Sequence, residues 1–128
     1  MNAAAPDATP AVPAAIGART DDGIYAGLTL HDNAAAELVL LPGEFKGTWQ
    51  EALAWAEQLG GTLPSRIDLL VLHKNLPDEF QESWYWSGEQ HADNGDYAWC
   101  QYFGHGDQDN YHKYSSLRAR AVRRLVIR

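Results

Sequence analysis

Cysteine is nearly absent from this chain. Cys100 stands alone, so no intramolecular disulfide and no cysteine-rich zinc site can be assembled. That fits a reducing compartment, or a particle assembled inside a cell and released by lysis. Long apolar runs are missing too: none approaches the roughly 18 residues that span a bilayer, so a helical integral membrane protein is not expected. The N-terminus has no basic segment followed by an apolar core, and no signal peptide is read there. Acid is missing from the end of the chain. Asp109 is the last of 17 acidic residues, and beyond it come only Lys113, Arg118, Arg120, Arg123, Arg124 and Arg128. A net charge of −7 is the wrong sign for a phosphate backbone, so nucleic acid is not an expected partner. The late arginines are expected to pair with acids of the same fold, with Asp68, Glu79 and Glu82 as the nearest choices. The alternative is an anion-binding face for lipopolysaccharide phosphates.

What is present is enough for one compact domain: 128 residues, 45% hydrophobic and 21% charged. Residues 1–20 are Ala- and Pro-rich, with Pro6, Pro10 and Pro13 opposing both helix and sheet, and are expected to form a flexible arm ahead of a domain at 21–128. Residues 22–31 and 35–42 read as a hairpin whose turn chemistry lies in His31-Asp32-Asn33. Thr48-Trp49-Gln50-Glu51 is a capping box, followed by Trp49, Leu53, Ala56 and Leu59 at helical spacing and ended by Gly60-Gly61. A second helix opens at Ser65, with Asp68 three residues on, and runs towards Leu76. Its dense apolar positions predict that it is largely buried. From Trp84 the chain breaks into short aromatic segments, WYWSGE, YAWCQYF and ARAVRRLVI, separated by Gly, Asp and Asn. The order is α+β: two helices packed on short antiparallel sheets with long loops.

Taken in order, GTWQEALAWAEQLGG, LPSRIDLL, WYWSGE, AWCQYF and LRARAVRR resemble the phage and prophage members of the Legionella collagen-like protein C-terminal domain family over about residues 22–126. The resemblance implies a C-type-lectin-like fold, related to that of formylglycine-generating enzyme and of retroelement-diversified phage receptor-binding proteins. It also implies a binding role on a phage tail. Enzymes of that fold use a pair of cysteines, and only one is present here, so their oxidase chemistry is not carried over. In the diversified relatives the segment before the closing strand is the binding face, which corresponds to residues 104–116.

That segment has the composition of a recognition surface: Tyr111 and Tyr114 offer rigid amphipathic contact area, while Asp107, Asp109, Asn110 and His112 offer adaptable hydrogen bonds. With Tyr102 and the oxygen-rich loop of Asp93, Asn94 and Asp96, they form the expected ligand-binding set, displayed on loops 90–96 and 104–116. Of the strand aromatics, Trp86, Trp99 and Phe103 are expected in the core. Those oxygens would suit calcium, but no EF-hand pattern or lectin calcium string accompanies them, so no metal or cofactor is assigned. His31, His73, His91, His105 and His112 are too scattered for zinc, and no spacing demands a His105–Asp107–Ser115 triad. The expectation is therefore a non-enzymatic binding module. It would be made in a bacterial host's cytoplasm, carried on a phage tail as a homo-oligomer, and recognise a bacterial surface glycan or protein. The alternative is a structural tail or baseplate protein that binds other virion proteins.

Overall fold

In a computed structural model, residues 15–127 are described, and they form a mixed α+β domain with two helices and two sheets. The strands are β1 (Ile24–His31), β2 (Ala34–Leu40), β3 (Phe45–Gly47), β4 (Trp84–Gln90), β5 (Tyr97–Tyr102), β6 (Asp107–His112), β7 (Leu117–Ala119) and β8 (Val122–Val126). The helices are α1 (Trp49–Gln58) and α2 (Arg66–Asn75), with one 3₁₀ turn at Pro77–Glu79. One sheet has the order β1-β2-β8 and the other β3-β7-β4-β5-β6. No helix among the described residues is long and apolar enough to cross a membrane.

Both helices start where local chemistry starts them. Thr48 Oγ1 accepts from Glu51 N–H while the Glu51 carboxylate accepts from Thr48 N–H. Ser65 and Asp68 repeat that reciprocal pattern at α2. The β1–β2 hairpin turns on Asp32 and Asn33, both with positive φ (50° and 63°), the geometry of a type I′ turn that matches strand twist. Residues 1–14 of the expected arm lie outside the described part. Its remainder is bound to β1: Gly17 N–H donates to Tyr25 O, and Tyr25 N–H donates to Ala18 O.

The core is two clusters divided by the five-stranded sheet. Leu69, Leu72 and Leu76 of α2 pack with Leu38, Leu40, Tyr85 and Phe103 on one side. Trp49, Ala52 and Ala56 of α1 pack with Trp86, Ala98, Cys100 and Ala119 on the other. Trp86 and Phe103 are in the core as expected, but Trp99 is only half-buried. It faces the α2 side, where the Arg66 guanidinium lies 3.5 Å from its ring centroid and His91 stacks on it at 5.3 Å.

Four sequence expectations are corrected by packing. Helix α2 is amphipathic, with Ile67 and Leu70 exposed, because only its Asp68–Leu69–Leu72 side meets the sheets. The closing segment is two strands in different sheets: the chain leaves one sheet at Ala119 and enters the other at Val122. Arg120, buried between them, anchors that crossing by donating to Leu41 O (3.0 Å) and Glu79 O (2.6 Å). The five-stranded sheet is not wholly antiparallel, since β4 and β7 run parallel where Tyr85 meets Arg118. Finally, residues 107–112 are a strand and not part of a long loop. Of the acids expected to meet the late arginines only Asp68 does so as an ion pair, with Arg124; Arg118 pairs with Glu44 and Arg123 with Asp22, Glu79 is met by Arg120 only through its backbone O, and Glu82 takes no arginine among the described residues.

Candidate functional site

Nine of the ten residues singled out from sequence fall at three places on the β4–β5–β6 part of the large sheet, and Asn110 stands apart from them, paired with Trp99. Strand β6 pairs antiparallel with β5 from Tyr97↔His112 to Tyr102↔Asp107, so its two ends lie about 17 Å apart. Side-chain alternation then divides the strand. Asp107, Asp109 and Tyr111 share the α1 side of the sheet with Tyr102, while Asn110 and His112 point to the α2 side.

The α1 side gathers an aromatic strip. Helix α1 covers the sheet at Trp86, Ala98 and Cys100, and its Trp49 indole N–H reaches across to Ser87 O at 2.8 Å. The helix is too short to cover the rest. Beyond it, Trp84 packs against Tyr102 (ring centroids 5.4 Å apart) and Tyr111 (5.1 Å), and His105 stands 5.4 Å from Tyr102. Trp84, Tyr102 and Tyr111 are all half-buried, and Trp84 and Tyr111 rest on the α1-side core. Asp107 and Asp109 border the strip on edge strand β6, both exposed. Neither carboxylate has a cation within ion-pair distance among the described residues.

The strip is held from behind by a polar network. Gln101, fully buried, donates from Nε2 to Leu69 O at 2.7 Å and accepts from Gln108 Nε2 at 2.9 Å. Gln108 also donates to Arg66 O and accepts from Arg66 Nε at 2.9 Å. These bonds tie β5 and β6 to α2, so the acids and aromatics on the opposite side sit on a fixed backbone.

A second group lies at the other end of the strand. Asp96, His112 and Tyr114 line a shallow cleft of about 200 Å³ with Thr48, Gly95 and Lys113. Tyr114 is 83% exposed. Lys113 N–H donates to Asp96 O and Trp49 N–H donates to Lys113 O, which fixes the two loops beside the start of α1. Asp93 and Asn94 belong to neither group. They shape their own turn, Asp93 N–H donating to His91 Nδ1 and Asp96 N–H to Asn94 Oδ1. Among the described residues no three His, Cys, Asp or Glu side chains are placed to hold a metal ion.

Cys100 lies beneath the strip, with its Sγ–H donating to Asp109 O. Burial, reinforced by the Asp109 charge, pushes its thiol up to about 12, so it is protonated and inert near neutral pH. Trp84 is the contributor that the sequence-derived set left out. The available signal was its sharing of a strand face with Trp86, which argued equally for core. Arg66 and Gln108, which fix the strand, carry no motif.

No protein-family model matches the chain, and no curated protein matches it.

Proposed function

We propose that this chain is a non-enzymatic recognition module with a C-type-lectin-like arrangement, carried on a phage or prophage tail, that binds a bacterial surface glycan or protein. The observation that carries the reading is the strip of Trp84, Tyr102 and Tyr111, bordered on an edge strand by Asp107 and Asp109, which have no cation within ion-pair distance among the described residues. Half-buried rings offer apolar contact at little entropic cost, and carboxylates beside them accept hydrogen bonds from a polar ligand. The cleft at Asp96, His112 and Tyr114 lies apart from the strip, at the far end of β6.

A second reading, assembly with other virion proteins or with further copies of the chain, rests on a different surface. Leu28 and Leu30 expose apolar side chains on one face of the small sheet at β1, and Val126 does so on the opposite face at the end of β8. The two roles are compatible, because assembly would use the small sheet and leave the strip open. The test is binding of fluorescently labelled protein to cells of candidate host bacteria, with the Tyr102→Ala/Tyr111→Ala double variant as comparison and circular dichroism to verify its fold. Saturable binding that the folded variant loses supports recognition through the strip. No binding by folded wild type turns the reading over to assembly.

A further inference from the structure

The crossing between the two sheets leaves one buried cation short of partners. Arg120 is only 8% exposed, yet its guanidinium has no carboxylate within ion-pair distance among the described residues. Its Nη1 and Nη2 donate to the backbone oxygens of Glu79 and Leu41, and its buried Nε has no hydrogen-bond partner among those residues. Buried N–H groups are normally bonded, so an orphaned one points to an acceptor from outside the chain. Burial pulls this guanidinium below its ordinary value against the opposing charges of Glu44 and Glu79, so its charge is incompletely offset.

Arg120 also lines a cavity of about 380 Å³ between the start of β1 and the β2–β3 loop. We infer that this cavity is a binding site for a small monocarboxylate with an apolar body, held by Arg120 and Arg19.

The charges around the cavity select that class. Two arginines, Arg19 and Arg120, and two glutamates, Glu44 and Glu79, border it. Glu44 is already compensated, accepting from Arg118 Nη1 (2.7 Å), the Tyr85 hydroxyl (2.6 Å) and Gln81 Nε2 (3.1 Å). Among the described residues Glu79 has no cation, and Arg19 no acid, within ion-pair distance. Two cations against the one remaining anion leave a single positive charge, which matches a carboxylate and not a dianion. Arg19 is placed there by its bridge to Ile24 on β1. The other walls include Ile24, Leu40 and Pro42, apolar groups that suit a branched body and give a phosphate nothing. A guanidinium carries five N–H donors in a planar fork that fits carboxylate oxygens, and the two Arg120 hydrogen bonds leave donors unused. The site shares no residue with the aromatic strip, so this inference stands apart from the recognition reading.

The experiment is a heteronuclear NMR titration of the full, isotope-labelled chain with isovalerate, at neutral pH and constant ionic strength. Isoamyl alcohol, isoamylamine and inorganic phosphate serve as comparison ligands. The reporters are the Arg120 Nε–H and the amides of Gly23 and Gly43, which border the cavity. The expected result is a saturable shift of all three with isovalerate, about tenfold tighter than with the alcohol or the amine, the size of one charge-assisted hydrogen bond. Arg19→Gln should weaken isovalerate about threefold and Glu79→Gln should tighten it by about the same factor, the scale of a charge near the surface. Circular dichroism verifies the fold of both variants, which spare Arg120 itself. Equal binding of acid and alcohol, tighter binding of the amine or of phosphate, or indifference of isovalerate to both variants overturns the inference. So does the absence of any shift with isovalerate, which would leave Arg120 as an anchor of the crossing alone.

Discussion

Arg124 and Asp68 form an ion pair in which both Nε (2.9 Å) and Nη2 (2.6 Å) of the arginine donate to the same carboxylate oxygen, Oδ2. Asp68 is fully buried, accepts from Thr29 Oγ1 and Ser65 N–H as well, and is the N3 residue of the α2 capping box. One side chain therefore joins β1, β8 and the start of α2. Removing Arg124 by Arg124→Met strands a buried carboxylate, and the expected loss is about 3–5 kcal/mol. Chemical denaturation checks it, and the Asp68→Asn/Arg124→Met double variant should recover part of the loss by removing the stranded charge.

Two buried groups predict how stability responds to alkali. Burial pushes the Cys100 thiol from 9.0 to about 12, and burial with the Glu44 hydrogen bond pushes the Tyr85 hydroxyl from 10.0 to about 12. Both stay protonated in the folded chain at pH values where the unfolded chain has released its protons. The folded state then binds more protons than the unfolded, so stability falls as pH rises from about 9 towards about 12. Denaturation midpoints measured across that window should decline, and the Tyr85→Phe variant should decline less steeply. In the same range of causes, Cys100 should react with a thiol reagent only after denaturant is added; rapid labelling of native protein at neutral pH would contradict the burial assignment.

The Asp32-Asn33 turn gives a local prediction. Both residues hold positive φ, where a Cβ is strained. Asn33→Gly relieves that strain without removing a contact, and stability should rise by a few tenths to about 1 kcal/mol. An unchanged or lowered thermal midpoint would mean that the Asn33 side chain contributes more than its backbone costs.

The features legible in the sequence are those decided by neighbours along the chain. Thr48/Glu51 and Ser65/Asp68 announce their helices because capping is a three-residue interaction, and Asp32-Asn33 announces its hairpin for the same reason. Strand β6 was hidden because alternation is recognised by apolar residues. Its inward positions are instead Gln108 and Asn110, the former satisfied by Gln101 and Arg66 from distant elements. Trp99 was misplaced because its cover is a guanidinium from another element. The crossing at Arg120 was hidden because its partners, Leu41 O and Glu79 O, are backbone atoms with no sequence signature. The site was legible as a list of residue types. Its division into a strip, a cleft and a turn depends on register, which the residues 104–116 do not spell out.

The central claim is that the strip and its acids, and not the cleft at the far end of β6, carry recognition. Two folded variants separate them on host cells: Tyr111→Ala/Asp109→Asn on the strip, and His112→Ala/Tyr114→Ala at the cleft. The account predicts that saturable binding of the labelled protein falls about tenfold or more for the strip variant, the scale of one lost aromatic anchor with its polar neighbour, while the cleft variant keeps most of it. Loss in the cleft variant with retention in the strip variant would contradict it.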